Sequence, residues 1–217
     1  RLRQAGLSVL LLEKNRELGK KVRITGGGRG NFCNINFTRE NLQNLSITSH
    51  PRADKILRTM VENQSIEGLR AYFHDLGVPS QVEDLGRVFP VSQKASDLVE
   101  ALESAYKKLG GTVVYEEEVV RIENNERFHL QTHKGNHYSS TMLLLACGGN
   151  TYPATGSTGD GAKLLEPLGI RHKPFSPAMQ ILNLQSNFSS SLQGIRVENV
   201  CFTYQIKLEK KPQTLKR

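Results

Sequence analysis

The sequence predicts an α/β fold: a parallel sheet flanked by helices, carrying a β-meander and a helical insertion, and leading into a second, β-rich domain. Three observations point to it. Residues 8–12 form a nearly continuous apolar run that ends on Glu13. A short run of that kind, without polar alternation, reads as a strand buried on both faces, as in parallel sheets. Residues 112–115 and 141–146 have the same character, and the latter runs straight into Cys147-Gly148-Gly149. Elsewhere, apolar residues recur at helical spacing over some segments and alternate over others.

Taken in order, residues 1–6 read as the last turn of a helix, with Gly6 just past its end. A strand that follows a helix and closes on an acid is the second strand of a Rossmann-like dinucleotide unit. The glycine fingerprint of such a unit lies about 20 residues ahead of the acid. Only 12 residues precede Glu13, so the first strand and the fingerprint are expected to lie outside this chain. Residues 41–77 read as largely helical. Pro51 opens a segment with Ile56, Leu57, Met60 and Val61 on one face. Ser65 can cap the next, where Ile66, Leu69, Tyr72, Phe73 and Leu76 form an apolar stripe and Gly77 ends it. An extended piece at 87–91 precedes a third helix, capped by Ser92, with Leu98, Val99, Leu102, Ala105, Tyr106 and Leu109 inward and Gly110 past its end. Residues 119–123 and 127–132 flank a turn at Asn124-Asn125, and Lys134-Gly135-Asn136 is a second turn signal. Residues 141–146 then form a third buried strand, and a helix follows from about 161 to 168. From Arg171 onward prolines and alternating apolar residues suggest the β-rich domain, ending in a charged tail.

Composition excludes several classes. No run of about 18 apolar residues is present to span a membrane, and residues 1–6 do not open a secretory signal. Cys33, Cys147 and Cys201 are far apart and odd in number. That argues against a disulfide scaffold, excludes a CxxC metal site and fits a reducing cytoplasm. The formal net charge is +8, but the basic residues are dispersed and lack aromatic interleaving, so a nucleic-acid partner is not the expectation. His129, His133 and His137 surround one hairpin without a completing cysteine or carboxylate, and no metal site is assigned.

Four motifs carry chemistry. Glu13 at its strand end can accept hydrogen bonds from both ribose hydroxyls of an adenine dinucleotide; the alternative is a solvated turn residue. Gly26-Gly27-Gly28-Arg29-Gly30-Asn31, preceded by Gly19-Lys20-Lys21, lets backbone N–H groups approach a phosphate, with Lys20, Lys21 and Arg29 adding charge. It is not a P-loop, because it lacks GxxxxGK[ST]. Ala146-Cys147-Gly148-Gly149 follows a strand at the end where α/β sheets bind ligands; a plain tight turn is the alternative. In 155–161, Asp160 precedes a helix, either as a ligand residue or as an N-cap.

Together these motifs resemble the BaiN/YhiN-like family of NAD(P)/FAD-dependent oxidoreductases, which includes aminoacetone-oxidase-like FAD enzymes. The family's Glu-Lys pair is Glu13-Lys14 here, and its Gly-Lys-Lys segment is Gly19-Lys20-Lys21. Its GGGRCN-type loop is Gly26 to Asn31, its GRVFP-x-S-x-KA block runs from Gly86 to Ala95, and its ATGG-x-x-YP-x-TGSTGDG block runs from Ala146 to Gly161. The likeness covers about residues 1–185. Three positions depart: Gly30 replaces the loop cysteine, Cys33 stands where threonine is frequent, and Cys147 replaces the ATGG threonine. No catalytic residue is therefore carried over. The resemblance implies a Rossmann-like FAD/NAD(P)-binding domain over 1–170, partial here, and the start of a β-rich second domain over 171–217. It implies cofactor contacts from Glu13, Lys14, Lys21, Gly26, Gly27, Gly28, Arg29, Gly30, Asn31, Ala146, Gly148, Gly149 and Asp160. Val119 within Glu118-Val119-Val120 would hold adenine through its backbone. The implied function is an FAD-dependent oxidoreductase acting on a small organic substrate, with room for NAD(P)H as electron donor and with this chain inactive by itself. Two rivals stand beside it: a non-catalytic fragment, and an RNA-modifying flavoprotein suggested by the basic charge.

Overall fold

The apolar run ahead of Glu13 forms β1 (Leu10–Leu12), and its partner is β5 (Thr112–Val114). The two pair in parallel, Leu11 opposite Val113. Pairing continues to the acid itself: Glu13 N–H donates to the Val114 carbonyl and Glu117 N–H to the Glu13 carbonyl, each at 2.9 Å. The computed structural model describes residues 6–38, 40–41 and 51–175. The chain divides into two compact units, Arg1–Phe175 and Ser176–Arg217. The second unit, with most of the expected β-rich domain, lies outside the described residues, as does the expected helix turn at 1–5.

Between β1 and β5 runs a second, antiparallel sheet in the order β2 (Cys33–Asn34), β4 (Arg87–Pro90), β3 (Ser80–Val82). The sequence announces β4 but neither neighbour, since β2 has two residues and β3 alternates nothing apolar. Val88 and Phe89 of β4 are buried, as are Ala95, Leu98 and Val99 of the following helix. Removing a Phe or Leu side chain from water contributes about 1.5–3 kcal/mol, so this layer is a main source of stability. Phe73, Val78 and Leu98 form its far side, with Phe32 edge-on to Phe73 at 5.1 Å between centroids.

The helices that follow β2 are α2 (Pro51–Asn63) and α3 (Ile66–Asp75), counting the single turn Lys20–Arg23 as α1. Ser65 caps α3 as expected, its Oγ accepting from Gly68 N–H at 2.9 Å. Ser92 does not cap the next helix, α4 (Ala95–Lys108), which begins after Lys94 without a side-chain cap. The reason is a turn at Pro90: Gln93 adopts φ +59° and its N–H bonds the Pro90 carbonyl, which holds Ser92 ahead of the helix. Of the six residues expected to face inward from α4, Leu98 and Val99 are buried, while Leu102 and Leu109 are exposed.

The meander β6 (Val119–Asn125), β7 (Arg127–Thr132), β8 (His137–Ser140) is antiparallel in sequence order. Its first turn is not at Asn124-Asn125. The ladder continues to Asn125 opposite Arg127, and Glu126 alone turns, at φ +59°; backbone groups that an earlier turn would leave to water are thereby paired. The second turn is at Gly135, φ +83°, as expected. Residues 141–146 do not form the expected strand. Leu143 and Leu145 pack on Ile122, Leu130 and Leu164, whereas Met142 and Leu144 are exposed. The segment has the two-sided alternation of a strand, but no described segment supplies a ladder partner. Helix α5 (Asp160–Leu165) and a 3-10 turn to Leu168 close the unit.

One buried carboxylate fastens the meander to β5. Glu117 Oε1 accepts from Thr132 Oγ1 at 2.6 Å and Asn136 Nδ2 at 2.8 Å, and Lys134 Nζ lies 4.0 Å from its other oxygen. The Thr132 hydroxyl and the Asn136 amide hold its carboxyl below the usual carboxylate range. A carboxyl depressed in the folded state stabilises at pH values above the ordinary range, and that contribution is lost as pH falls through the folded value. The melting temperature of the protein should therefore exceed that of Glu117→Gln at neutral pH, with the gap narrowing on acidification. Parallel melting curves across pH would show that the carboxylate contributes nothing.

Candidate functional site

The site forms where the end of β1 meets the loop leading into α5. Glu13 Oε1 accepts from both the backbone N–H and the side-chain amide of Asn15, each at 2.8 Å. This local arrangement, an amide reaching back two residues, fixes the carboxylate's direction. Lys14 points the other way. Its Nζ donates to Asp160 Oδ2 at 2.5 Å and to Thr158 Oγ1 at 3.0 Å, and the Thr158 hydroxyl also donates to the same Asp160 oxygen. The Lys14 ammonium and the Thr158 hydroxyl hold the Asp160 carboxyl below its usual range. The N-cap of α5 is Gly159, and no side chain caps it. Asp160 is thus the helix's first residue, its side chain turned to Lys14 rather than to the helix backbone.

The loop is shaped by glycines. Gly148, Gly156 and Gly159 take φ of +73°, +90° and +81°, a region L side chains enter at a cost. A Cβ on Gly156 would lie 2.7 Å from Asn15 Nδ2 and 3.1 Å from Lys14 Cε, so a side chain there would displace those two as well as strain the φ of +90°. Gly159 N–H bonds the Gly149 carbonyl at 3.1 Å, which joins the two halves of the loop. Lys21 Nζ reaches Thr151 Oγ1 at 3.3 Å and ties α1 to the same loop. Ala146 is exposed ahead of it. Beside the loop lies an open cavity of about 260 Å³, lined in part by Cys147, Gly148, Ala162, His172 and Phe175.

The Gly26 to Asn31 loop sits instead on β4 and α4, and its glycines divide by role. A Cβ at Gly26 would meet Phe89 at 2.7 Å and one at Gly30 would meet Ala95 Cα at 2.9 Å, whereas nothing lies within 4 Å of one at Gly27. Gly26 and Gly30 serve packing, and Gly27 and Gly28 present open backbone. Arg29 is engaged by protein groups: its guanidinium stacks 4.1 Å above the Phe89 ring, pairs with Glu83, and donates to Gln93 Oε1 at 2.5 Å. The Asn31 amide faces the carbonyls of Val88 and Cys33 and can donate to both, at 3.3 and 3.1 Å. Val119 opens β6 opposite Thr132, just before a register irregularity that takes its neighbour off the ladder.

Glu13, Lys14, Gly148, Gly149 and Asp160 therefore gather at one strand end, with Lys21 at its margin, while 26–31 forms an adjoining loop. Sequence reasoning missed Asn15, Thr158, Glu83 and Gln93. Of these, Asn15 had a local signal, an amide two residues after an acid, and Thr158 stood inside the TGSTGDG block without a role of its own, whereas Glu83 and Gln93 had none. Neither described cysteine is poised as a thiolate: burial pushes the Cys33 thiol up to about 11, and partial desolvation raises that of Cys147, although its surface is exposed. Cys201 lies outside the described residues. Among the described residues no three His, Cys, Asp or Glu side chains cluster to hold a metal, and no helix is long and apolar enough to cross a membrane.

A family model described as the HI0933-like protein Rossmann domain matches residues 1–207. The chain is 29% identical over 174 residues to a ribosomal RNA dihydrouridine synthase of Haemophilus influenzae, covering 78% of the chain and 41% of that protein. It is 24% identical over 190 residues to a 3-dehydro-bile acid delta(4,6)-reductase of Clostridium scindens, covering 88% and 44%. To the ribosomal RNA dihydrouridine synthase of Escherichia coli it is 25% identical over 218 aligned residues, covering 93% and 52%. The chain thus spans roughly half the length of these curated relatives.

Proposed function

This chain belongs to the HI0933-like Rossmann-domain family, and from that membership we propose that it is the nucleotide-binding part of an FAD-dependent oxidoreductase. One observation carries the reading. Glu13, the acid that directly follows β1, has its direction fixed by Asn15, and a loop of three left-handed glycines closes on that same strand end. An adenine dinucleotide fits such a place, because α/β sheets bind ligands beyond the carboxyl ends of their strands. Glu13 would accept from ribose hydroxyls. Backbone N–H groups of Gly148-Gly149 and of Gly27 and Gly28 would face phosphate, with Lys21 supplying charge. Val119 would hold adenine by its backbone. FAD, when bound, supplies the hydride-carrying ring. The chain's own part is to orient that group and keep its phosphates paired; Arg29, already engaged by Glu83, holds the glycine loop in shape for this.

The substrate reading follows from the chemistry the relatives' names share. Making dihydrouridine from uridine and reducing a 3-oxo bile acid at C4 and C6 both saturate a carbon–carbon double bond conjugated to a carbonyl. We assign this protein a small unsaturated carbonyl compound as substrate, with NAD(P)H as electron donor. A second reading, RNA modification, is favoured by the net charge of +8 and by the two ribosomal RNA names. The test is to express the complete reading frame, record its visible spectrum, and follow NAD(P)H oxidation with a 3-oxo-Δ4 steroid or with ribosomal RNA as acceptor. Flavin bands and turnover with the steroid are expected. Turnover with RNA alone, with binding that weakens linearly in log salt, would move the assignment to RNA. A colourless protein that takes up no added FAD would overturn both.

A further inference from the structure

The contacts of Lys14 and Asn15 carry a role that neither the family's motif nor the cofactor reading assigns. Lys14 spends its ammonium on Asp160 and Thr158, 146 and 144 residues along the chain. The pair is substantially buried, the two side chains being 26% and 28% exposed. An ammonium neutralised by a carboxylate at hydrogen-bond distance adds little attraction for a phosphate. Asn15 faces both ways as well. Its amide nitrogen donates to Glu13 Oε1 at 2.8 Å, lies 3.5 Å from the Thr155 carbonyl, and is the atom that a Cβ on Gly156 would strike. Two consecutive residues thus span the gap between the strand end and the 155–160 loop, one by charge and one by packing and hydrogen bonding.

We propose that Lys14 and Asn15 are positioning residues that fasten the 155–160 loop to the end of β1, so that the Glu13 carboxylate and the loop address one ligand. The role rests on the cofactor reading above. Lys14 acts through Asp160 and Asn15 through Glu13; neither has to touch the cofactor.

The test is a double-mutant cycle in the protein made from its complete reading frame, with FAD affinity and apoprotein hydrogen exchange as readouts. Lys14→Met and Asp160→Asn should each weaken FAD binding about tenfold, and the double variant should be no weaker than the worse single, because residues acting as a unit are not additive. Amides of 155–160 should exchange about tenfold faster in Lys14→Met apoprotein and in Asn15→Ala apoprotein. Lys14→Arg, which keeps a cation within reach of Asp160, should restore both values and guards against a folding defect. Additive losses in the cycle would make Lys14 a direct cofactor contact and overturn the proposal, as would unchanged exchange in the loop. If the wild-type apoprotein takes up no FAD, the cofactor reading falls and the positioning role with it, while the exchange result still decides whether the two residues hold the loop.

Discussion

Replacing Gly30 with cysteine, the residue carried there by the family motif it resembles, is expected to destabilise the protein rather than to restore a redox group. Gly30 has φ +86°, and a left-handed conformation costs a residue with a Cβ about 1–2 kcal/mol. The added Cβ would lie 2.9 Å from Ala95 Cα and 3.2 Å from both Leu98 Cδ1 and Pro90 Cδ. The nearest of these is backbone at the start of α4, and Ala95 is 1% exposed, so little there can give. Overpacking of a tight core costs about 1–3 kcal/mol more. The sum, about 2–5 kcal/mol, corresponds to a fall in melting temperature of at least roughly 4 °C for a protein of this size. A thermal melt of Gly30→Ala, which carries the same Cβ without the sulfur, isolates the steric part. An undiminished melting temperature would mean that the loop relaxes to another φ and that the thiol was lost for a chemical reason.

The second large effect is on affinity. Glu13→Ala should weaken FAD binding at least roughly tenfold, about 1.4 kcal/mol. Hydrogen bonds to a charged acceptor contribute about 1.5–3 kcal/mol each, and leaving donors unpaired makes the loss worse. The substitution also strands the two Asn15 donors that now converge on Oε1. A fluorescence titration with FAD at fixed salt measures it. An unchanged dissociation constant would reduce Glu13 to a residue that merely ends its strand.

Legibility in the sequence followed the range of the interaction. The apolar runs of β1 and β5, the Ser65 cap and the Gly135 turn are encoded within a few residues, and they stand where the sequence put them. β2 and β3 exist because β4 lies between them to pair with, and nothing in two or three residues announces that. Residues 141–146 show the reverse case: the apolar pattern of a strand is present, but a ladder is a property of two segments and not of one. In the site, motif order brought Glu13, Lys14 and Asp160 to notice, while the contact of Lys14 with Asp160 needed the fold. Glu83 and Gln93 were invisible for the same reason, since their part is to hold Arg29 from 54 and 64 residues away.

The parallel pairing of β1 with β5 has a kinetic consequence. Its register joins residues roughly a hundred positions apart, and the entropy of closing so long a loop must be met before any contact compensates it. The meander, by contrast, closes through turns of a few residues, at Glu126 and Gly135. The meander is therefore expected to assemble before β1 pairs with β5, which pulse-labelled hydrogen exchange during refolding would check. Because Glu13, Lys14 and Asn15 ride on the end of β1, the proposed binding place would be completed only when that long-range pairing forms. Native-state hydrogen exchange is then expected to show the amides of 10–13 opening at lower denaturant than those of the meander.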